Sequence, residues 1–192
     1  MREYVFVKKG LEEEFIQQAK KELYDELVLI YSEEDIDKIN FEEIKNLEKT
    51  FKINLKTALD VKNQKNTQKQ LFDEYLQLGT MKDVLFKGIT IIYNNETEPK
   101  KDFIHQRRSG LNHVILQECK KKNIKVLISY GELQTTNKSQ KAKLIGRIKQ
   151  NIKQSKKYGV NYEIASLARD KNKIRNSKDV KALQRILEQT NQ

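Results

Sequence analysis

Two hydrophobic periods take turns along the chain. Short apolar or alternating runs at residues 4–7, 27–31, 53–61, 89–93, 103–104, 126–130 and 162–166 read as seven strands. The clearest period-two signal is Ile53, Leu55, Thr57, Leu59 and Val61, with polar or small residues between them. Stripes spaced three and four apart lie between these runs. Leu11, Phe15, Ala19 and Leu23 make one, and Ile36, Ile39, Ile44 and Leu47 a second whose register slips around Asn40, so two pieces are expected there. Leu71, Phe72, Tyr75 and Leu76 predict a helix, with Thr67 and Gln70 as its capping box and Gly79 as its C′ residue. Leu111, Val114, Ile115 and Cys119 make a short buried stripe. Leu144, Ile145, Ile148 and Ile152 line the longest helix, about residues 140–158 and closed by Gly159, and Ser177 caps a last helix carrying Val180, Leu183 and Leu187.

Strand and helix alternate without hairpin signals, which argues for parallel βα units. A doubly wound open sheet and a small (β/α) barrel both fit the order. At 192 residues the chain is read as one domain, residues 1–192, with no internal repeat. Mean hydropathy of -0.80 and 34% charged residues describe a heavily charged exterior. No apolar run approaches the roughly 20 residues that span a bilayer, so no membrane partner is expected. The first residues, MREYVFVKKG, are too short an apolar stretch for a secretion signal. A single cysteine, Cys119, allows neither an internal disulfide nor a cysteine zinc cluster, and a cytoplasmic location is the expectation.

Charge changes the picture more than composition does. Residues 1–100 carry 16 Lys and Arg against 20 Asp and Glu, and residues 101–192 carry 22 against 7. An acidic half is joined to a strongly basic one, and that asymmetry points to a polyanion, nucleic acid above all, on one side of the fold. Catalytic patterns are absent: there is no GxGxxG, P-loop, GxSxG or HExxH. His105 and His113, the only histidines, are eight residues apart on different elements, and Cys119 lies on a buried stripe. Asp60 ends a strand where barrel active sites gather, but a lone carboxylate there more often caps the next element. No catalytic residue and no metal ligand are assigned. Basic residues instead recur beside successive βα units, at Arg107 and Arg108, Lys120 to Lys122, the long helix, and Arg169, Lys171, Lys173 and Arg175. Arginine is the more telling member, since its planar fork holds a phosphate through two bonds. Tyr130 and Tyr158 could stack on bases, with core packing the plainer reading.

Three blocks, SGLNHVILQECKKKNIKVLISY, KAKLIGRIKQNIKQSKKYGVNYEIASLARD and IRNSKDVKAL, recur in an order and spacing that resembles the protein component 3 family of archaeal and eukaryotic ribonuclease P. The resemblance spans about residues 102–187 and places Ser109, Gly110, Asn112, His113, Arg147, Asn151, Ser166, Arg175 and Asp179 on the family's motifs. It departs at Arg108, where the family often has an acidic residue. The resemblance implies an α/β, TIM-barrel-like (β/α) barrel related to PHP-type folds, with about seven mainly parallel strands; the chain stops soon after the last helix, leaving room for a trimmed barrel. It also implies a noncatalytic partner of an RNA enzyme that removes 5′ leaders from precursor tRNA. The implied partners are ribonuclease P RNA, protein component 2 and, through the holoenzyme, precursor tRNA. The protein is expected to hold no cofactor, with magnesium on the RNA. A PHP-like metal-dependent phosphoesterase is the competing reading, but such an enzyme needs an H-x-H pair on its first strand, where this chain reads YVFVKKG. The residues assigned to RNA contact are Arg107, Arg108, His113, Lys122, Arg147, Lys157 and Arg175.

Overall fold

The computed structural model describes residues 1–63, 65, 67, 71–79, 85–97, 102 and 107–189. In chain order it runs β1 (Arg2–Phe6), α1 (Glu12–Lys21), β2 (Glu26–Ser32), a 3-10 segment (Glu33–Lys38), α2 (Phe41–Phe51), β3 (Asn54–Asp60), β4 (Glu74–Leu78), β5 (Ile91–Tyr93), a 3-10 turn (Asn95–Thr97), α3 (His113–Lys122), β6 (Lys125–Ser129), α4 (Gly131–Thr135), α5 (Lys138–Tyr158), β7 (Tyr162–Ala165), a second 3-10 turn (Lys171–Lys173) and α6 (Ser177–Glu188). The seven strands stand in sequence order, each parallel to the next. The sheet then curls until β1 meets the chain just beyond β7, where the Phe6 amide donates to the Ala168 carbonyl at 2.8 Å. The result is a nearly closed TIM-barrel-like α/β fold.

The strands read as continuous apolar runs because both their faces are buried. Tyr4, Val28, Ile30, Leu76, Ile91 and Leu127 point into the barrel. Their neighbours Val5, Leu27, Leu29, Val126 and Ile128 point outward and meet helical stripes that include Phe15, Ile16, Leu116, Ile148 and Val180. At the amino end of the barrel the inward positions are charged, and the sign alternates around the ring: Arg2 on β1, Glu26 on β2, Lys56 on β3, Glu74 on β4, Lys125 on β6 and Glu163 on β7. Arg2 bridges Glu26 at 2.9 Å and Glu74 at 3.1 Å, Lys56 bridges Glu26 at 3.0 Å, and Lys125 bridges Glu163 at 2.7 Å. Each charge thus has a partner of opposite sign, which is the condition for burying part of it without a large desolvation cost.

Glu3 completes the seam between β1 and β7. Its side chain is fully buried. One carboxyl oxygen accepts from the Ser166 amide at 2.7 Å and the Tyr4 amide at 2.8 Å, and the other accepts from the Tyr130 hydroxyl at 2.9 Å. The side chain thereby supplies acceptors where the strand ladder is thin. Burial raises the Glu3 carboxyl above the ordinary carboxylate range, against the pull of these donors.

Several sequence expectations change. The helix predicted from Leu71, Phe72, Tyr75 and Leu76 is instead the strand β4. Glu74 and Leu76 point into the barrel, where Arg2 and the apolar interior receive them, so tertiary pairing overrides a spacing that suits either period. Thr67 is accordingly no helix cap, since its hydroxyl donates to the Lys87 carbonyl, and the Gly79 amide extends the β4–β5 ladder to the Tyr93 carbonyl. The short strand expected at residues 103–104 lies outside the described residues. The stripe of α1 is narrower than expected, with Leu11 and Leu23 41% and 52% exposed, and α6 is capped by Asn176, whose side chain accepts from the Lys178 amide, and not by Ser177. The slip at Asn40 is a true break, with its side chain accepting from the Glu42 and Glu43 amides to cap α2.

Replacing Glu3 by Ala leaves the Ser166 amide and the Tyr130 hydroxyl buried without this acceptor. A loss of about 2–4 kcal/mol in urea unfolding is expected, with Glu3→Gln losing less because one acceptor oxygen remains. Equal stability of Glu3→Ala and wild type would remove the side chain from the seam.

Candidate nucleic-acid interface

Beyond β5 the chain passes through two buried polar residues, Asn95 and Glu96, against which the approach to α3 is packed. Gly110 lies across Asn95. With φ at +79° and a would-be Cβ only 2.0 Å from the Asn95 carbonyl oxygen, this position admits glycine alone. Ser109 beside it is buried, and its carbonyl accepts from the Asn151 side chain at 2.9 Å, which makes Asn151 a structural polar contact. Asn112 then caps α3, its side chain accepting from the Ile115 amide at 2.9 Å. SGLN is therefore a docking stretch that seats α3 against α5. The buried side of α3 is Leu116 and Cys119, with Ile115 partly covered, whereas Val114 is 54% exposed and not on the buried stripe expected for it.

Arg147 is a correction to the expected contacts. It is 4% exposed, and its guanidinium donates to one oxygen of Asp102 at 2.7 and 2.9 Å and to the Glu96 carbonyl at 3.1 Å. These donors face inward, so Arg147 holds the approach to α3 rather than a phosphate. Burial opposes the charge of Asp102, but Arg147 and the Arg108 amide hold its carboxyl below the ordinary range. Asp102 and Glu96 escaped the sequence reading because their partner on α5 lies 45 and 51 residues further along the chain, beyond any local pattern.

The remaining assigned residues are at or near the surface, in three places. Arg107 is exposed, its guanidinium lying against Gly146 of α5 while its carbonyl accepts from Gln150 at 3.0 Å. Arg108 is half-buried beside it, and His113 is exposed at the first position of α3. At the other end of the paired helices α3 and α5, Lys120 approaches Gly159, bringing Lys120 to Lys122 near Lys156 and Lys157. Lys122 pairs with Glu118 at 2.9 Å on the same exposed helix face, a contact that water screens, and Lys157 lies 5.7 Å from the centre of the Tyr158 ring. Arg175 belongs elsewhere. Its side chain is exposed on the loop after β7, its amide donates to Tyr130 at 3.2 Å, and neighbouring Lys171 pairs with Glu14 of α1. Tyr130 is buried and bonded to Glu3, so it serves the core and not base stacking.

Phe6, Leu78 and Tyr93 stand at the carboxyl ends of the strands with Asp60, whose carboxyl accepts from the Tyr93 hydroxyl at 2.8 Å and is raised by burial. Among the described residues no group of three or more His, Cys, Asp or Glu is arranged to hold a metal ion. Cys119 is fully buried and its thiol is pushed up to about 12, which suits a core residue. His105 lies outside the described residues.

Residues 100–192, which include α3, α5, α6 and the basic surfaces, match the family model described as RNase P subunit p30. No curated protein matches the chain. Among solved structures, the fold is similar to a chain of an archaeal ribonuclease P seen with mature tRNA by cryo-electron microscopy. The TM-score is 0.76 at 17% identity, over 98% of this chain and 83% of that one.

Glu96 gives the docking segment a pH signature. It is fully buried, one oxygen accepts from the Ser129 amide at 2.9 Å, and burial pushes its carboxyl up to about 7. A raised carboxyl favours the fold when protonated. Its contribution is complete below the unfolded value of 4.5 and is lost as pH rises through 7, by up to roughly 3 kcal/mol. Glu96→Gln keeps the acceptor and cannot ionise. Its stability relative to wild type, measured by urea unfolding at pH 5 and pH 8, should therefore improve at the higher pH; a constant difference would show that Glu96 does not titrate in this window.

Proposed function

We propose that this chain, which across residues 100–192 belongs to the RNase P subunit p30 family, is a noncatalytic RNA-binding subunit of ribonuclease P and supports removal of 5′ leaders from precursor tRNA. The observation that carries the reading is a coincidence of place: the family match falls on the half of the chain with 22 basic and 7 acidic residues, and the α3–α5 surface there presents Arg107, Lys122 and Lys157 to solvent. Ribonuclease P RNA and tRNA are its partners in this reading. Protein component 2 is the proposed protein partner, and magnesium belongs to the RNA. The PHP-like phosphoesterase is not favoured, because the β1 end that such an enzyme uses for metal carries Val5, Phe6 and Val7.

The interface is a rigid surface and not a catalytic pocket. Helix packing and the Asp102–Arg147–Glu96 contacts fix the backbone, so long basic side chains meet phosphates without reorganising what lies beneath. Such contacts supply affinity and register, not sequence reading.

The test is reconstitution of precursor-tRNA cleavage from this chain, its component 2 partner and ribonuclease P RNA. Arg107→Ala and Lys157→Ala should each weaken assembly several-fold at moderate salt and lower the slope of log affinity against log salt by about 1. Arg175→Ala should do the same if the β7–α6 loop faces RNA as well. Circular dichroism should be unchanged, since all three side chains are exposed. Unaltered affinity and salt slope in all three variants would sink the interface.

A further inference from the structure

The carboxyl end of the barrel holds a cavity of about 510 Å³ beside β1 and β2, and none of the proposed RNA contacts uses it. That volume is in the range of small-molecule sites. Its inner wall is apolar, formed by Phe6, Phe15 and Ile30, with Leu11 41% exposed toward the opening. Its polar groups are few and of definite sign. Lys8 and Arg169 are both exposed, and Asp35 is held by the Ser32 hydroxyl at 2.8 Å and Lys38 at 2.9 Å.

Arg169 is the informative residue. Its guanidinium carbon lies 4.0 Å from the centre of the Phe6 ring, which is stacking distance. No described carboxylate forms a salt bridge with it, and Asp60 acts on it only through space. Stacking occupies the face of the guanidinium and leaves its in-plane N–H donors for an oxyanion, in the fork geometry that suits phosphate. Lys8 adds a second positive charge to the same cavity. Asp35 already shares its charge with Lys38, so the balance at the opening favours an anion, while its remaining acceptor capacity suits a hydroxyl or amino group. The apolar wall asks for a flat ring. An inorganic anion would leave that wall unused, and an apolar ligand would leave both cations unused.

We propose that this cavity binds a nucleoside 5′-monophosphate unit, its phosphate on Arg169 and Lys8 and its base against the Phe6, Phe15 and Leu11 wall. The unit is either a free nucleotide or a 5′-phosphorylated RNA terminus. The inference goes beyond the ribonuclease P reading and does not depend on it, because the site is separate from the α3–α5 surface and the test contains no ribonuclease P RNA.

The experiment is titration of the isotope-labelled full chain with adenosine 5′-monophosphate, followed by amide chemical shifts. Saturable shifts are expected at Val7, Lys8, Leu11, Ser32 and Arg169, with adenosine and inorganic phosphate each binding at least tenfold more weakly. Arg169→Ala and Lys8→Ala should each weaken binding about tenfold or more. Arg169→Lys, which keeps the charge but not the planar fork, should recover only part of it. Competition by a 5′-phosphorylated RNA oligonucleotide, and not by its dephosphorylated form, assigns the ligand to an RNA terminus; no such competition assigns it to the free nucleotide. Shifts confined to Lys120, Lys122 and Lys157, equal affinity in the Arg169 and Lys8 variants, or no saturable binding would each overturn the proposal.

Discussion

A seven-stranded parallel sheet has two edges, and this structure depends on how they are joined. Among the described residues the strand-to-strand contact is a single parallel bridge, Val5 opposite Ala168, with the Phe6 amide donating to the Ala168 carbonyl. Glu3 supplies the rest from a side chain, gathering an amide from its own strand, an amide from beyond β7 and the hydroxyl of Tyr130 into one buried carboxyl group. A buried donor without an acceptor costs as much as several ordinary contacts contribute, so this one residue governs whether the sheet closes or opens. Everything outside the barrel follows from closure, because α6 packs against both α5 and β7 and the β7–α6 loop reaches α1.

Closure also sets the two ends of the barrel apart. The amino end is filled by alternating charges that satisfy one another, which makes it a plug. The carboxyl end is capped by Phe6 and Tyr93, with rings 5.9 Å apart, and by Asp60 beneath the Tyr93 hydroxyl. Among the described residues this end holds no group of three or more His, Cys, Asp or Glu arranged for a metal ion. What the end retains is a partly apolar cavity with a stacked arginine.

The basic surface rests on a different polar core. Arg147, Asp102 and the Glu96 carbonyl bind the approach of α3 to the middle of α5, and Asn151 secures Ser109 one turn further on. The positive charge is therefore divided by burial. One arginine is held inside to anchor the segment, while Arg107, Lys122 and Lys157 stand outside, exposed to solvent. A charge count treats all of these alike, although one is buried in an ion pair and the others face solvent.

The alternation of strand and helix apart from β4, the parallel sheet, the break at Asn40, the closure of α5 at Gly159 and the concentration of positive charge in residues 101–192 were all legible in the chain itself. Each arises from local causes: side-chain period, capping chemistry, or composition. The stretch SGLNHV was legible as one block of the family resemblance, whereas the cap that Asn112 makes on α3 came from the structure. The tertiary structure alone decided that Tyr75 and Leu76 belong to a strand, since a four-residue apolar cluster satisfies both periods until Arg2 and the barrel interior claim Glu74 and Leu76. It alone separated Arg147 from the exposed cations, because the partner that buries it is 45 residues away. It also placed Arg175 apart from the α3–α5 surface and laid Arg169 on Phe6. Patterns along a chain report what neighbours in sequence do together, whereas the fate of a charge depends on which distant oxygen or ring the fold brings within a few ångströms of it.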